Sequence, residues 1–177
     1  MIQLDAIAVV SDTHDRLENI SAVVDSILEH GIKVIVHCGD YVSPFSLKAF
    51  ERLSGKCTFI GVTGNNDGDH FLLARVAGML GFRIVNYPIL VTDIERVKLA
   101  IMHGFGSTED TIRIVNSIAR GGLADIVLYG HTHRFDFRRV GKSIVVNPGT
   151  AAGYLSDEAT FAILDLERKK VGKVVLS

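Results

Sequence analysis

Seven side chains able to bind metal recur at short, repeated spacings along the chain. Asp12 and His14 stand two apart in Asp-Thr-His, Asp40 follows a glycine in Val-His-Cys-Gly-Asp, and Asn65 follows another in Thr-Gly-Asn-Asn-Asp. His103 precedes a glycine in Ile-Met-His-Gly, and His131 and His133 are again two apart in Tyr-Gly-His-Thr-His. Imidazole and carboxylate donors without thiolate suit Mn, Fe, Co, Ni or Zn. Singly, each residue has an ordinary explanation: Asp12 or Asp40 as a helix cap, a lone histidine as a hydrogen-bonded surface group. The joint pattern does not. Four of the seven histidines, two aspartates and an asparagine each stand beside a small or turn-forming residue. That set is too large for one tetrahedral ion, and it divides between two five- or six-coordinate ions sharing a carboxylate, so a dinuclear centre is expected.

Strands and helices must position these groups, and the hydrophobic pattern indicates which. Residues 5–11 form a near-continuous apolar run, as in a strand buried on both faces. Residues 16–30 place Leu17, Ile20, Val23 or Val24, Ile27 and Leu28 on one helical face, with Gly31 closing the helix. The unit repeats with strands at 33–38 and 57–63, a helix over 44–53 and another ending near Leu80, which predicts a parallel sheet with right-handed crossovers. Beyond it, residues 82–85, 89–94 and 97–102 read as antiparallel strands separated by short turns. A helix over 109–120 follows, with Ser107 and Asp110 at capping-box spacing, then strands at 126–129, 136–140, 143–146, 160–165 and 170–176. The sum is an α/β fold of two mixed sheets with helices outside. The candidate ligands fall at strand ends, where open α/β sheets place their binding crevice. Residues two apart in an extended segment project to one side, which would let Asp12 and His14 share an ion.

Composition narrows the partners. With 177 residues, 47% of them hydrophobic, and no repeat or linker, a single domain over 1–177 is expected. Nineteen basic against twenty acidic residues give a net charge of −1, which argues against general nucleic-acid binding. Cys38 and Cys57 form no CxxC pair, so a disulfide framework and a thiolate zinc ribbon are both excluded. No targeting segment and no membrane-length apolar run is seen, so a cytoplasmic protein without membrane contact is expected.

Taken in order, D-T-H at 12–14, G-D at 39–40, G-N-N-D at 64–67, H-G at 103–104 and G-H-T-H at 130–133 resemble the five motifs of the calcineurin-like metallophosphoesterases. N-P-G-T at 147–150 is similar to the small single-domain microbial phosphodiesterases of that family. The resemblance implies a four-layer αββα sandwich. It also implies that Asp12, His14 and His133 hold one metal, that Asn65, His103 and His131 hold the other, and that Asp40 bridges them. Two divalent ions, manganese foremost with Ni, Fe, Co or Zn as alternatives, would then generate a metal-bound hydroxide near Asp40 that attacks a small phosphate ester. Oligomeric state is left open, a homo-oligomer being compatible with the chain.

One position departs from the family pattern. The residue after the metal-binding asparagine is often histidine in family phosphatases, where it meets the phosphate and assists the leaving group; here it is Asn66. An amide donates a hydrogen bond but no proton. Asn66 and His70 are therefore the candidate substrate contacts. Asp67 is expected either to orient a ligand histidine or to cap the next helix, and His37 to be a packed or supporting residue. Loops 42–45, 67–71 and 105–109 carry few basic side chains, which disfavours a long polyanion. A competing expectation is a non-catalytic, protein-binding scaffold of the same fold, similar to a retromer subunit. A complete ligand set favours the enzyme.

Overall fold

The computed structural model describes residues 6–176, so Asp5, the first residue of the expected opening strand, lies outside the described residues. The first half runs β1 (Ala6–Val10), α1 (Leu17–Glu29), β2 (Val34–His37), α2 (Pro44–Lys48), β3 (Thr58–Val62), α3 (His70–Leu80) and β4 (Arg83–Val85). The second runs β5 (Leu90–Ile94), β6 (Val97–Ile101), α4 (Thr108–Arg120), β7 (Ile126–Leu128), β8 (Phe135–Val140), β9 (Ser143–Pro148), β10 (Thr160–Asp165) and β11 (Lys170–Val175). One sheet has the order β11-β10-β1-β2-β3-β4, parallel from β1 to β4 with β10 and β11 antiparallel at one side. The other has the order β5-β6-β7-β9-β8, with β6, β7 and β9 parallel.

Side-chain alternation builds the layers. Along β1, Ile7 and Val9 face the second sheet while Ala8 and Val10 pack outward with Ile20, Val23, Val24 and Ile27 of α1. Along β6 and β7, Leu99, Ile101, Ile126 and Leu128 face the first sheet, and Ala100 and Val127 pack outward with Val115 and Ala119 of α4. Three apolar layers therefore separate helices, sheet, sheet and helix, the four-layer αββα sandwich expected. Among the described residues no helix is long and apolar enough to cross a membrane.

Two elements differ from expectation. The helix expected over 44–53 ends at Lys48 and continues as a single 3-10 turn, Glu51–Leu53. Leu47, Phe50 and Leu53 are all fully buried, and a spacing of three places them on one face only if the chain tightens. Phe50 N–H accordingly donates to Leu47 C=O at 3.1 Å and Leu53 N–H to Phe50 C=O at 2.9 Å. The strand at 83–85, expected to pair antiparallel with its successors, instead pairs parallel with β3. Gly81, at φ +72°, ends α3 in the left-handed conformation and turns the chain back, which makes β3-α3-β4 one more crossover unit.

Candidate metal centre

All seven candidate ligands follow the carboxyl ends of β1, β2, β3, β6 and β7, on one edge of the sandwich. Asp12 and His14 do not lie on an extended strand as their spacing had suggested. The strand ends at Val10, and both residues are left-handed, at φ +54° and +41°. Asp40 (+59°), His131 (+68°) and His133 (+57°) share that conformation. Each such residue costs on the order of 1 kcal/mol or more, and a cluster of them at one edge marks a place where backbone is held for function rather than stability.

Loop-to-loop hydrogen bonds hold this backbone. Asp12 N–H donates to Gly39 C=O at 3.0 Å, and Thr13 N–H donates to Asp40 C=O at 3.0 Å. Asn147 of the N-P-G-T segment donates Nδ2–H to Gly130 C=O at 2.9 Å, and Thr150 Oγ1 donates to Asp12 C=O at 3.0 Å. That segment therefore ties the histidine loop to the Asp12 loop. Gly64 lies so close to Asp40 that any side chain there would collide with its carboxylate.

The side chains converge as two groups joined through Asp40. In the first, His133 Nε2 is 3.1 Å and His14 Nε2 3.8 Å from Asp12 Oδ1, and His14 Nε2 is 3.5 Å from Asp40 Oδ2. Ligand atoms of Asp12, His14, Asp40 and His133 all lie within 4.8 Å of one another. In the second, Asn65 Oδ1 is 3.1 Å from His103 Nε2 and 2.9 Å from His131 Nδ1, while His103 Nε2 is 3.3 Å from Asp40 Oδ2.

These residues fit a metal centre on two observations. Asp12 Oδ1 and His14 Nε2 are buried without a hydrogen-bond partner among the described residues, an expensive arrangement unless a cation completes it. Three histidines also point one nitrogen into the cluster and the other at a backbone carbonyl: His103 Nδ1 at Cys38 O (2.8 Å), His133 Nδ1 at Tyr154 O (2.7 Å) and His131 Nε2 at Gly106 O (2.8 Å). A carbonyl accepts only from N–H, so the cluster-facing nitrogen is left with its lone pair in the neutral ring, as metal ligation requires. Burial would raise the Asp12 carboxyl, but neighbouring His133, His14 and His103 outweigh it and hold it well below the usual carboxylate range. For His103, burial pulls downward and the carboxylates of Asp40 and Asp12 win, pushing it up to about 9.

Asn66 lies beside the cluster and bonds the Asp40 carboxylate, whereas His70 lies exposed at the start of α3, its Nδ1 3.0 Å from Nδ2 of Asn86. Asp67 takes neither expected role. Its carboxylate accepts from the N–H groups of Gly64 (2.6 Å), Asp40 (3.1 Å) and Val42 (2.7 Å), pinning two ligand loops together, while Asp69 caps α3 through Leu72 N–H at 2.8 Å. His37 is buried in the outer core, its ring stacked on Tyr41 with centroids 3.9 Å apart.

The profile of the calcineurin-like phosphoesterase superfamily domain matches residues 6–169. The chain belongs to that superfamily. It is a metal-dependent hydrolase acting on phosphoric ester bonds, and the two histidine–carboxylate groups lie where all five family motifs meet. Phosphodiesterase MJ0936 of Methanocaldococcus jannaschii is 34% identical over 170 residues, covering 96% of this chain and 98% of the relative. A solved archaeal phosphodiesterase superposes with a TM-score of 0.87 at 34% identity, over 97% of this chain and 99% of the other. Vps29 of Entamoeba histolytica, solved with zinc, shares the superfamily fold at a TM-score of 0.63 and 18% identity, over 97% and 99% of the two chains. That last likeness concerns the fold alone.

Proposed function

We propose that this chain is a phosphodiesterase that uses two divalent cations, manganese first among them, to hydrolyse a small phosphate ester. The observation that carries the reading is the convergence of seven oxygen and nitrogen donors into two groups with Asp40 between them. Asp12, His14 and His133 would hold one cation, Asn65, His103 and His131 the other, and Asp40 both. When bound, such cations acidify water near neutral pH and offset charge building on the phosphoryl oxygens.

The rest falls to the chain's own residues. Asp67 and Asn66 keep Asp40 aimed at both groups, and the backbone carbonyls of Cys38, Tyr154 and Gly106 keep three imidazoles in the ligating tautomer. No cationic or acidic side chain occupies the place of Asn66. A diester carries one negative charge fewer than a monoester and so asks less of a position that offers neither a positive charge nor a proton, so the site suits diesters. The complete donor set favours this reading over a non-catalytic scaffold. A cytoplasmic location agrees with two free cysteines, Cys38 buried among apolar side chains. Metal analysis of the purified protein, followed by mono- and diester turnover with Mn, Ni, Fe, Co or Zn restored, tests the reading. Absence of diester turnover with every metal overturns it.

A further inference from the structure

Beside Asn65 and His103 opens a cavity of about 280 Å³ whose remaining walls include Tyr87 and Phe105, with Thr63 and Asn86 among its polar groups. That volume is near the small end of the ~300–1,000 Å³ typical of small-molecule sites, room for one ring system and its immediate attachment. Tyr87 and Phe105 stay 59% and 45% exposed, large apolar faces left uncovered next to the reacting centre. Among the described residues the lining contains no Lys, Arg, Asp or Glu, so a second phosphate or a carboxylate would find no counter-charge there. An uncharged planar group is what this lining accepts.

Asn86 narrows the class further. Thr63 Oγ1 donates to Asn86 Oδ1 at 2.7 Å, and Asn86 Nδ2 approaches Nδ1 of His70 at 3.0 Å. A primary amide has two N–H groups and two carbonyl lone pairs, so these two bonds fix its orientation and leave one donor and one acceptor unused. An amide held this way matches a paired acceptor and donor on the edge of a nucleobase. His70 thereby has a task as the brace of Asn86.

Resting on the phosphodiesterase reading, we propose that this cavity is the subsite for the base of a nucleoside-bearing phosphodiester, with Tyr87 and Phe105 offering stacking faces and Asn86 reading the base edge. The test is calorimetric titration of the manganese-loaded protein with adenosine 5′-monophosphate, phenyl phosphate and methyl phosphate. The nucleotide should bind at least about tenfold tighter than methyl phosphate and several-fold tighter than phenyl phosphate, the margin of one well-placed amide–base pair. Asn86→Leu should erase the margin over phenyl phosphate, and Tyr87→Ala, at an exposed position, should reduce the margin over methyl phosphate should the first variant fail to fold. Equal binding of phenyl phosphate and nucleotide, or margins unchanged in both variants, would overturn the subsite. Because affinity is read without turnover, a parent protein that hydrolyses no diester counts against the proposed function, while equal affinities in an active enzyme count against the subsite alone.

Discussion

Asn66 holds the carboxylate of Asp40 at both oxygens: its backbone N–H lies 2.9 Å from Oδ1 and its side-chain Nδ2 2.7 Å from Oδ2. Both bonds run from a neutral donor to a charged acceptor, the stronger kind, and they set the plane of the carboxylate that lies between the two halves of the cluster. Burial would raise the Asp40 carboxyl, but His103 and the Asn66 bonds outweigh it and lower it below its ordinary value. It therefore stays ionised at neutral pH, as the proposed bridge between two cations would require.

Asp40→Asn is expected to fold and to lose activity by roughly a hundredfold or more, the scale seen when one fixed electrostatic partner of a transition state is removed. An amide brings no charge and only one oxygen to a position that needs two. Thermal melting, metal content and diester turnover of the variant check this, and near-full turnover with both metals bound would remove Asp40 from the mechanism.

Stoichiometry should separate the two halves. Calorimetric titration of the chelated parent with manganese should give a value near two, and Asn65→Ala should lower it toward one by depleting only the Asn65–His103–His131 group. A parent that binds one ion or none at saturation excludes the dinuclear centre.

How much of this site the sequence could carry depends on the kind of link involved. The ligand types and their strand-end positions were legible, because turn residues and apolar runs are local features. The reason Asp12 and His14 converge was not, since β alternation was assumed where left-handed backbone operates, held by bonds to Gly39 and Asp40 nearly thirty residues away. Asp67 illustrates the same limit: three N–H groups from two loops meet its carboxylate only after β2 and β3 pair. Asn86 carried no signal at all, being one polar residue after a short strand whose parallel pairing with β3 was itself misread. Likewise the break after Lys48 follows from burial at a three-residue spacing, a tertiary cause acting on a segment with ordinary helical residues.

Removing the Asp67 staple should loosen both loops. Asp67→Ala leaves the N–H groups of Gly64, Asp40 and Val42 without their acceptor, which should cost about 2–4 kcal/mol of stability. Urea denaturation of the metal-free protein reads that loss, free of the added stabilisation that bound metal would contribute; a change under 1 kcal/mol, on the order of an ordinary surface substitution, would show that water replaces the carboxylate readily.

Acid sensitivity should trace in part to His37. Burial outweighs the field of Asp12 and pulls this imidazole down to about 3, and Gly39 N–H donates to its Nδ1 at 3.1 Å, so the folded ring stays neutral. Unfolded, it takes a proton near pH 6.5. A folded value below the unfolded one means that the contribution is fully present above pH 6.5 and is lost as pH falls toward 3, about 2 kcal/mol of it by pH 5. His37→Asn retains an acceptor for Gly39 but does not titrate. Its stability should fall less than the parent's between pH 7 and 5, by about that amount, and parallel curves for the two proteins would show that His37 is not the source.

The last expectation concerns Asn66 as a determinant of ester type. A phosphate monoester arrives as a dianion, whereas a diester carries one charge fewer and asks less positive charge of the site; p-nitrophenolate leaves either ester without needing an acid. Asn66 supplies no proton, and its amide is engaged with Asp40. His70, the other candidate, is turned to Asn86 instead. Bis(p-nitrophenyl) phosphate should therefore be hydrolysed with a higher kcat/KM than p-nitrophenyl phosphate. Asn66→His should narrow that ratio by raising monoester turnover roughly tenfold, through a cationic imidazole against the dianion's extra charge, the lower end of what one hydrogen bond to a charged group contributes. Because the substitution also removes the Nδ2 bond to Asp40, metal occupancy has to be matched before rates are compared, and the backbone bond at 2.9 Å should keep the carboxylate in place. A parent enzyme that already prefers the monoester would mean that another group offsets the dianion's extra charge, and His70→Ala would then lower monoester turnover alone if His70 were that group.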